Sequence, residues 1–220
     1  MTMEELWEKL QSPIRTAETS AQYHAMKKRE KDAVKDKGGF LPGTLKGTRR
    51  KATEVISRSM IALDYDRLEQ GCFDDFAFKH CTIVYTTHSH TPEAPRARIL
   101  MPLTRDVTPD EYNAIARYLA DEIGMDTVDL CSFKVNQLMY WPTCSSDGEY
   151  ICRRYEDDWL DPDAFLASHP DWQDCSSLPT APREKEAVAR ERKKQADPME
   201  KEGMVGTFCR AYPIQEAMQT

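Results

Sequence analysis

The sequence predicts an α/β (α+β) domain, and three observations carry that expectation. Three β-rich runs, "VISRSMIALDYD", "CTIVYTT" (81–87) and "RARILMPL" (96–103), follow one another as the strands of one sheet do. A strongly amphipathic helix comes directly after them. Ahead of them lies a polar, helix-favouring segment too poor in apolar residues to be buried all round. At 220 residues the chain has room for one principal domain and a smaller attachment.

Taken in order, residues 2–12 and about 16–36 read as helical, and "KGGFLPGTLKGTRRK" then brings four glycines and a proline, a loop or short hairpin. The three strands come next, the last two separated by the proline-bounded "HSHTPEAP". Thr108 with Glu111 forms a capping box, Pro109 suits the first helical position and Gly124 ends the helix. Tyr112, Ile115, Ala116, Leu119 and Ile123 fall on one stripe, so this helix is expected to pack on the sheet. "VDLCSFKVNQLMYWP" reads as an acidic residue followed by an apolar strand, and "DWLDPDAFLASHPDW" as a small closing helix. Beyond Leu178 two prolines and dense mixed charge mark a boundary. The expected organisation is therefore a domain over 1–178 and a charged linker leading into a further region over 179–220.

No apolar run approaches the ~20 residues that cross a bilayer, and the start lacks the apolar core of a secretory signal, so the expectation is a cytoplasmic protein with no membrane partner. Seven cysteines, without CxxC or zinc-finger spacing, argue against both a disulfide framework and a structural zinc site. The net charge of −7 is uneven, because residues 1–60 carry thirteen Lys/Arg against eight Asp/Glu. A polyanion would be met by the front of the chain.

The chemistry begins with "ALDYD". Side chains alternate along a strand, so Asp64 and Asp66 share a face roughly 6.6 Å apart along the chain. Two uncompensated carboxylates so close repel unless a cation neutralises them, and Mg²⁺ or Mn²⁺ suits oxygen ligands; the alternative is two strand-end aspartates that cap a loop or face solvent. His88 and His90 are either metal ligands or, with Arg96 and Arg98, a cationic wall for phosphate. As an HxH pair they also suggest a nuclease with a tyrosine nucleophile, although the central residue of that motif is normally hydrophobic and here it is Ser89. Lys46, Arg49, Arg50 and Lys51 follow glycines that let backbone approach a ligand closely, which makes them candidates for template or phosphate contact or an ordinary exposed turn. Asp129, at the mouth of "LMYWP", is a third carboxylate suited to a two-metal phosphoryl-transfer site.

The ordered set "ALDYD", "YTTHSHTPEAPRARILMPLTRDVTPDEY" and "VDLCSFKVNQLMYWPT" resembles the archaeo-eukaryotic primase superfamily. Within it, the set is similar to the primase-polymerase module at the front of phage and prophage replication proteins whose rear half is a virulence-associated-E-type helicase. The similarity runs from "TAETSAQYHAM" to "RKKQADPMEKEGMVGTFCRAYPIQEAM", nearly the whole chain. It implies a primase catalytic core with an RRM-like mixed sheet and a small N-terminal α/β part. It further implies metal binding by Asp64, Asp66 and Asp129 and a nucleotide-binding middle motif within His88 to Arg98, where Thr86-Thr87-His88 fits a small-x-His pattern while the spacing between the acidic motifs favours a residue on the following strand, near Arg96 or Arg98. Where relatives read Arg-Leu-Met before an aromatic and Pro142, this chain has Gln137. The implied reaction is template-directed nucleotidyl transfer from nucleoside triphosphates on single-stranded DNA, with Mg²⁺ or Mn²⁺, in a bacterial cytoplasm. No GxxxxGK[ST] loop follows before Thr220, so the expectation is either an excised domain of a full-length protein that carries the helicase or a naturally short relative. The competing expectation is a catalytically weak single-stranded-DNA-binding module of a replication initiator.

Overall fold

The computed structural model describes residues 1–194, 203–204 and 207–208. The chain divides into two compact units, Met1–Pro179 and Thr180–Thr220. The first unit contains, in order, α1 (Met3–Gln11), β1 (Ile14–Arg15), α2 (Ser20–Ala25), α3 (Lys28–Lys35), β2 (Gly39–Phe40), β3 (Gly43–Leu45), β4 (Val55–Tyr65), α4 (Cys72–Asp75), β5 (Thr82–Thr86), β6 (Ala97–Val107), α5 (Pro109–Ile123), β7 (Met139–Tyr140), β8 (Thr143–Cys144), β9 (Cys152–Tyr155) and α6 (Pro162–Ala167). In the second unit α7 (Pro182–Lys194) makes part of the expected linker helical. The rest of that expected linker from residue 195 to 202, the matching run's tail as far as Met218 and Cys209 lie outside the described residues, save 203–204 and 207–208.

The fold is mixed α/β, with a five-stranded sheet in the order β3-β4-β6-β5-β9. Every neighbouring pair in it is antiparallel, which corrects the expectation of a mixed sheet. Among the described residues parallel pairing is limited to β1 with β8 and an isolated Leu103–Leu160 bridge. The reason is connectivity: β5 and β6 are joined by residues 87–96, which hold no crossover helix of the kind that would make them parallel.

Strand parity decides what each face does. Ile61, Leu63 and Tyr65 of β4 are fully buried on the face that α5 covers with Tyr112, Ile115, Ala116 and Leu119. Helix α5 forms as its sequence dictates: Thr108 and Glu111 close a reciprocal capping box, Pro109 opens the first turn and Gly124 caps the end. On the opposite face Met60, Ala62, Ile83, Tyr85 and Leu100 form a core with Leu6 and Leu10 of α1, Phe40 and Met139. The N-terminal segment is thus a layer on the sheet, stitched to residues 139–144 through the β1–β8 and β2–β7 pairs, rather than a separate small part.

The glycine-rich stretch, expected as a loop or short hairpin, contributes two short strands that pair elsewhere. Gly39–Phe40 pairs with β7, and Gly43–Leu45 with β4. A Cβ at Gly39 would stand 2.4 Å from the Met139 carbonyl oxygen, and one at Gly43 2.1 Å from that of Ser57. These glycines admit neighbouring backbone, not a ligand. Among the described residues no helix is long and apolar enough to cross a membrane.

Candidate functional site

A pocket of about 240 Å³ opens where β4 ends and β6 begins, lined among others by Asp64, Asp66, Asp129, His88, Arg96 and Arg98. Its three carboxylates come from segments far apart in sequence. Asp64 lies on the same face of β4 as Met60 and Ala62, one step beyond the apolar core, and stands opposite Arg98 in the β4–β6 register. Residues 127–129 lengthen the sheet past the end of β4. Val128 bridges Tyr65, the Asp66 amide donates to the Thr127 carbonyl at 3.1 Å, and the Asp129 amide donates to the Asp64 carbonyl at 2.7 Å. That backbone zipper, not the strand "LMYWP", holds Asp129 beside Asp64.

Each carboxylate already has partners. Arg98 Nε donates to Asp64 Oδ2 at 3.0 Å, with only 10% and 15% of the two side chains exposed. Arg96 Nη1 donates to Asp66 Oδ1 at 2.9 Å in a half-exposed pair. Asp129 caps the short 3₁₀ turn Leu130–Phe133 by accepting from the Cys131 amide at 3.0 Å. Burial raises the Asp64 carboxyl above the ordinary carboxylate range; Arg98 opposes that rise, while the charges of Asp66 and Asp129 add to it.

Asp64 Oδ1 is buried and has no hydrogen-bond partner. A buried charged oxygen left unmet is costly, and a hard cation coordinated by carboxylates would satisfy it. The donor chemistry therefore fits Mg²⁺ or Mn²⁺ at Asp64, with Asp66 and Asp129 as neighbours. Among the described residues, however, no group of three or more His, Cys, Asp or Glu side chains is placed to hold a metal ion.

His88 and His90 part company. His88 lines this pocket, its ring held between Glu18, which Nε2 meets at 3.0 Å, and Thr143, whose Oγ1 lies 2.9 Å from Nδ1. His90 lines a different pocket of about 320 Å³ with Phe73, Pro92 and Glu149, and its Nδ1 accepts the Arg96 amide at 3.3 Å. The structure therefore does not bring them together as an HxH metal pair. Lys46, Arg49, Arg50 and Lys51 do not line the aspartate pocket; Arg50 instead clasps Asn136, donating to its carbonyl and accepting from its Nδ2 at 3.3 Å. Gln137 does line the pocket.

Sequence reasoning missed Lys35, Glu18 and Trp141. Lys35 reaches the pocket from the last turn of α3, half-buried and paired with Asp32 at 2.9 Å. Trp141 is fixed in the wall by Phe40, stacked at 4.7 Å, and by the Lys9 ammonium 3.7 Å from its ring centre. Nothing in local sequence distinguishes Lys35 from the other lysines of its helix.

Compared with known proteins, residues 1–181 match the family described as VapE N-terminal domain. Among curated proteins and among solved structures, none matches.

Proposed function

The chain belongs to the VapE N-terminal domain family, and from that premise we propose that it is the primase-polymerase module of a phage or prophage replication protein. Its core would then be that of the archaeo-eukaryotic primases. The reaction is template-directed joining of nucleoside triphosphates, ribo or deoxy, on single-stranded DNA in the host cytoplasm, with a helicase elsewhere in the full-length protein.

The observation that carries this reading is the convergence of Asp64, Asp66 and Asp129 in one pocket beside Lys35, Arg96 and Arg98. Bound there, Mg²⁺ or Mn²⁺ would acidify the attacking 3′-hydroxyl and offset charge on the transferring phosphorus. Asp64, Asp66 and Asp129 are the groups that would hold it. Lys35, Arg96 and Arg98 supply the positive wall against which a triphosphate is oriented for in-line attack. Trp141 and Tyr140 shape the side where sugar and base would lie. Lys46, Arg49 and Lys51 are exposed, and their place is on the template backbone outside the pocket.

The test is primer synthesis on single-stranded template with labelled nucleotides and Mg²⁺ or Mn²⁺, comparing wild type with Asp66→Asn and Asp129→Asn. Metal-dependent product in the wild type, reduced at least ~100-fold in the variants, supports the reading.

One observation favours a second reading, a catalytically weak single-stranded-DNA-binding module of a replication initiator. Asp64 and Asp66 are both engaged by arginines, so a cation must compete with two guanidinium groups for them. Template binding with no product from wild type or variants selects that reading.

A further inference from the structure

A buried chain of polar groups runs from the N-terminal layer into the aspartate pocket. Glu18 lies between β1 and α2, its side chain 11% exposed and that of His88 2% exposed. Thr16 Oγ1 donates to Glu18 Oε1 at 2.5 Å, and the same oxygen meets His88 Nε2 at 3.0 Å. The Thr16 amide donates to the Cys144 carbonyl at 3.0 Å and the Glu18 carbonyl accepts the Ser146 amide at 2.9 Å, so the segment is stapled to the strand that carries Thr143 and to the turn after it. On the far side of the ring His88 Nδ1 and Thr143 Oγ1 are 2.9 Å apart, and Thr143 lines the pocket together with the three aspartates.

The donor and acceptor pattern of this chain is determined by its first member. Burial raises the Glu18 carboxyl, but hydrogen bonds from Thr16, its own backbone and His88 outweigh that and hold it below the ordinary range. An ionised carboxylate only accepts, so Nε2 carries a hydrogen. In a neutral ring Nδ1 is then an acceptor, and the Thr143 hydroxyl hydrogen points into it. Only oxygen lone pairs of Thr143 are left for the pocket, which is the wrong polarity for a phosphate.

We propose that Glu18 is a positioning residue that makes His88 and Thr143 a proton-dependent phosphate contact. When one proton from solvent enters at Nδ1, the Nδ1–H donates to Thr143 Oγ1. The Thr143 hydroxyl hydrogen is thereby released to donate to a phosphate oxygen. One proton is taken up for each triphosphate seated, and Glu18 is the buried counter-charge of the imidazolium. The groups facing the ring from neighbouring elements are Glu18, which favours the charged form, and Lys35 of α3 and His24 of α2, which oppose it. Tyr23 packs its ring against His88 at 4.2 Å and excludes water from that side. An arriving phosphate adds negative charge on the Thr143 side and shifts the balance toward the imidazolium.

This inference rests on the triphosphate reading above, and the experiment separates the two. Nitrogen-15 NMR of the histidines in the free protein reads the His88 tautomer without any ligand. Calorimetric titration with a non-hydrolysable nucleoside triphosphate near pH 6.5, in two buffers of different ionisation enthalpy, reads proton uptake. The expected results are an Nε2–H tautomer, net proton uptake in the wild type, and loss of that uptake with about tenfold weaker binding in Glu18→Gln. The Gln replacement keeps an acceptor for Nε2 but removes the counter-charge. Thr143→Ser retains the uptake-linked affinity and Thr143→Val loses it. An Nδ1–H tautomer in the free protein, or Glu18→Gln with wild-type uptake and affinity, overturns the proposal. Binding without proton uptake overturns it alone, whereas no triphosphate binding by the wild type overturns the polymerase reading and the phosphate role of Thr143 together.

Discussion

Replacing Asp64 by alanine tests how the aspartate pocket is held together, and the structure gives the size of the effect. The variant leaves Arg98 without the carboxylate it pairs with, at a guanidinium that is 10% exposed. Breaking a fully buried pair from one side costs about 3–5 kcal/mol. Here Arg98 keeps the Tyr140 carbonyl at 3.1 Å and lies 5.8 and 5.9 Å from the rings of Tyr85 and Tyr140, so the lower end applies, about 3 kcal/mol. Asparagine retains an acceptor for Arg98 Nε and loses only the charge assistance, which lowers the expected cost to about 1 kcal/mol. Equilibrium urea unfolding followed by tryptophan fluorescence, with the slope checked for constancy, measures both. A double-mutant cycle with Arg98→Met isolates the pair, and its coupling energy is expected at about 2 kcal/mol. If Asp64→Ala unfolds within about 0.5 kcal/mol of wild type, or the coupling falls below that figure, the pair is not the buried structural element described here. The expected cost also makes alanine at 64 a poor inactive control, since lost product could reflect lost fold.

Lys35→Ala is expected to weaken nucleoside triphosphate binding about tenfold, near 1.4 kcal/mol, with little change in thermal stability, because its partner Asp32 is exposed; unchanged affinity removes Lys35 from the phosphate wall. Gly43→Ala places a Cβ 2.1 Å from the Ser57 carbonyl oxygen at a φ of +155°, and a loss of about 2 kcal/mol or more in unfolding free energy is expected, so a variant as stable as wild type refutes the close pairing of β3 with β4. Burial holds His88 below its ordinary value of about 6.5 despite Glu18. The unfolded chain therefore takes up a proton that the native chain refuses, and stability should fall as pH drops from about 6.5 toward the native pKa. Glu18, held below its ordinary range, adds a second loss as pH falls through its own native value, below about 4.5. Unfolding free energies between pH 5 and 8 should slope accordingly, and His88→Gln should flatten that slope; an equal slope in the variant assigns it elsewhere.

How much of this was legible in the sequence depends on whether information is local. Helix α5 and strands β4, β5 and β6 announce themselves by period, by the capping box at Thr108 and by β-branched runs, and the structure forms them. Asp64 and Asp66 share a face because strand parity demands it, and that too is local. The expected strand "LMYWP" shrinks to Met139–Tyr140, which pairs with the two-residue strand Gly39–Phe40, a contact that depends on Gly39 a hundred residues away. Arg58, to which the sequence assigns no role, is fully buried, donating to the Pro42 carbonyl at 2.9 Å with its guanidinium 4.3 Å from the Tyr112 ring centre. Glu18 and Lys35 escape for the same reason: each is one charged residue among many in a polar segment. Only the folding of that segment onto the sheet brings them to His88 and the pocket.

A buried ion pair is poor evidence of a drive for stability, since apolar side chains of similar volume in its place are often neutral or stabilising. The face of the sheet that carries Asp64 and Arg98 is otherwise filled by Met60, Ala62, Ile83 and Leu100, and α1 already covers it. Continuing that core by one more apolar pair would be the stable solution. Instead the chain brings Asp129 to the same place through a backbone zipper and leaves Asp64 Oδ1 buried without a partner. Those features have no structural return of their own, but they agree with a pocket whose carboxylates and guanidinium groups are held ready for ligands of opposite charge. On this argument the arginines that restrain Asp64 and Asp66 are the same groups a triphosphate would engage, so competition for the carboxylates and recognition of phosphate are two sides of one exchange.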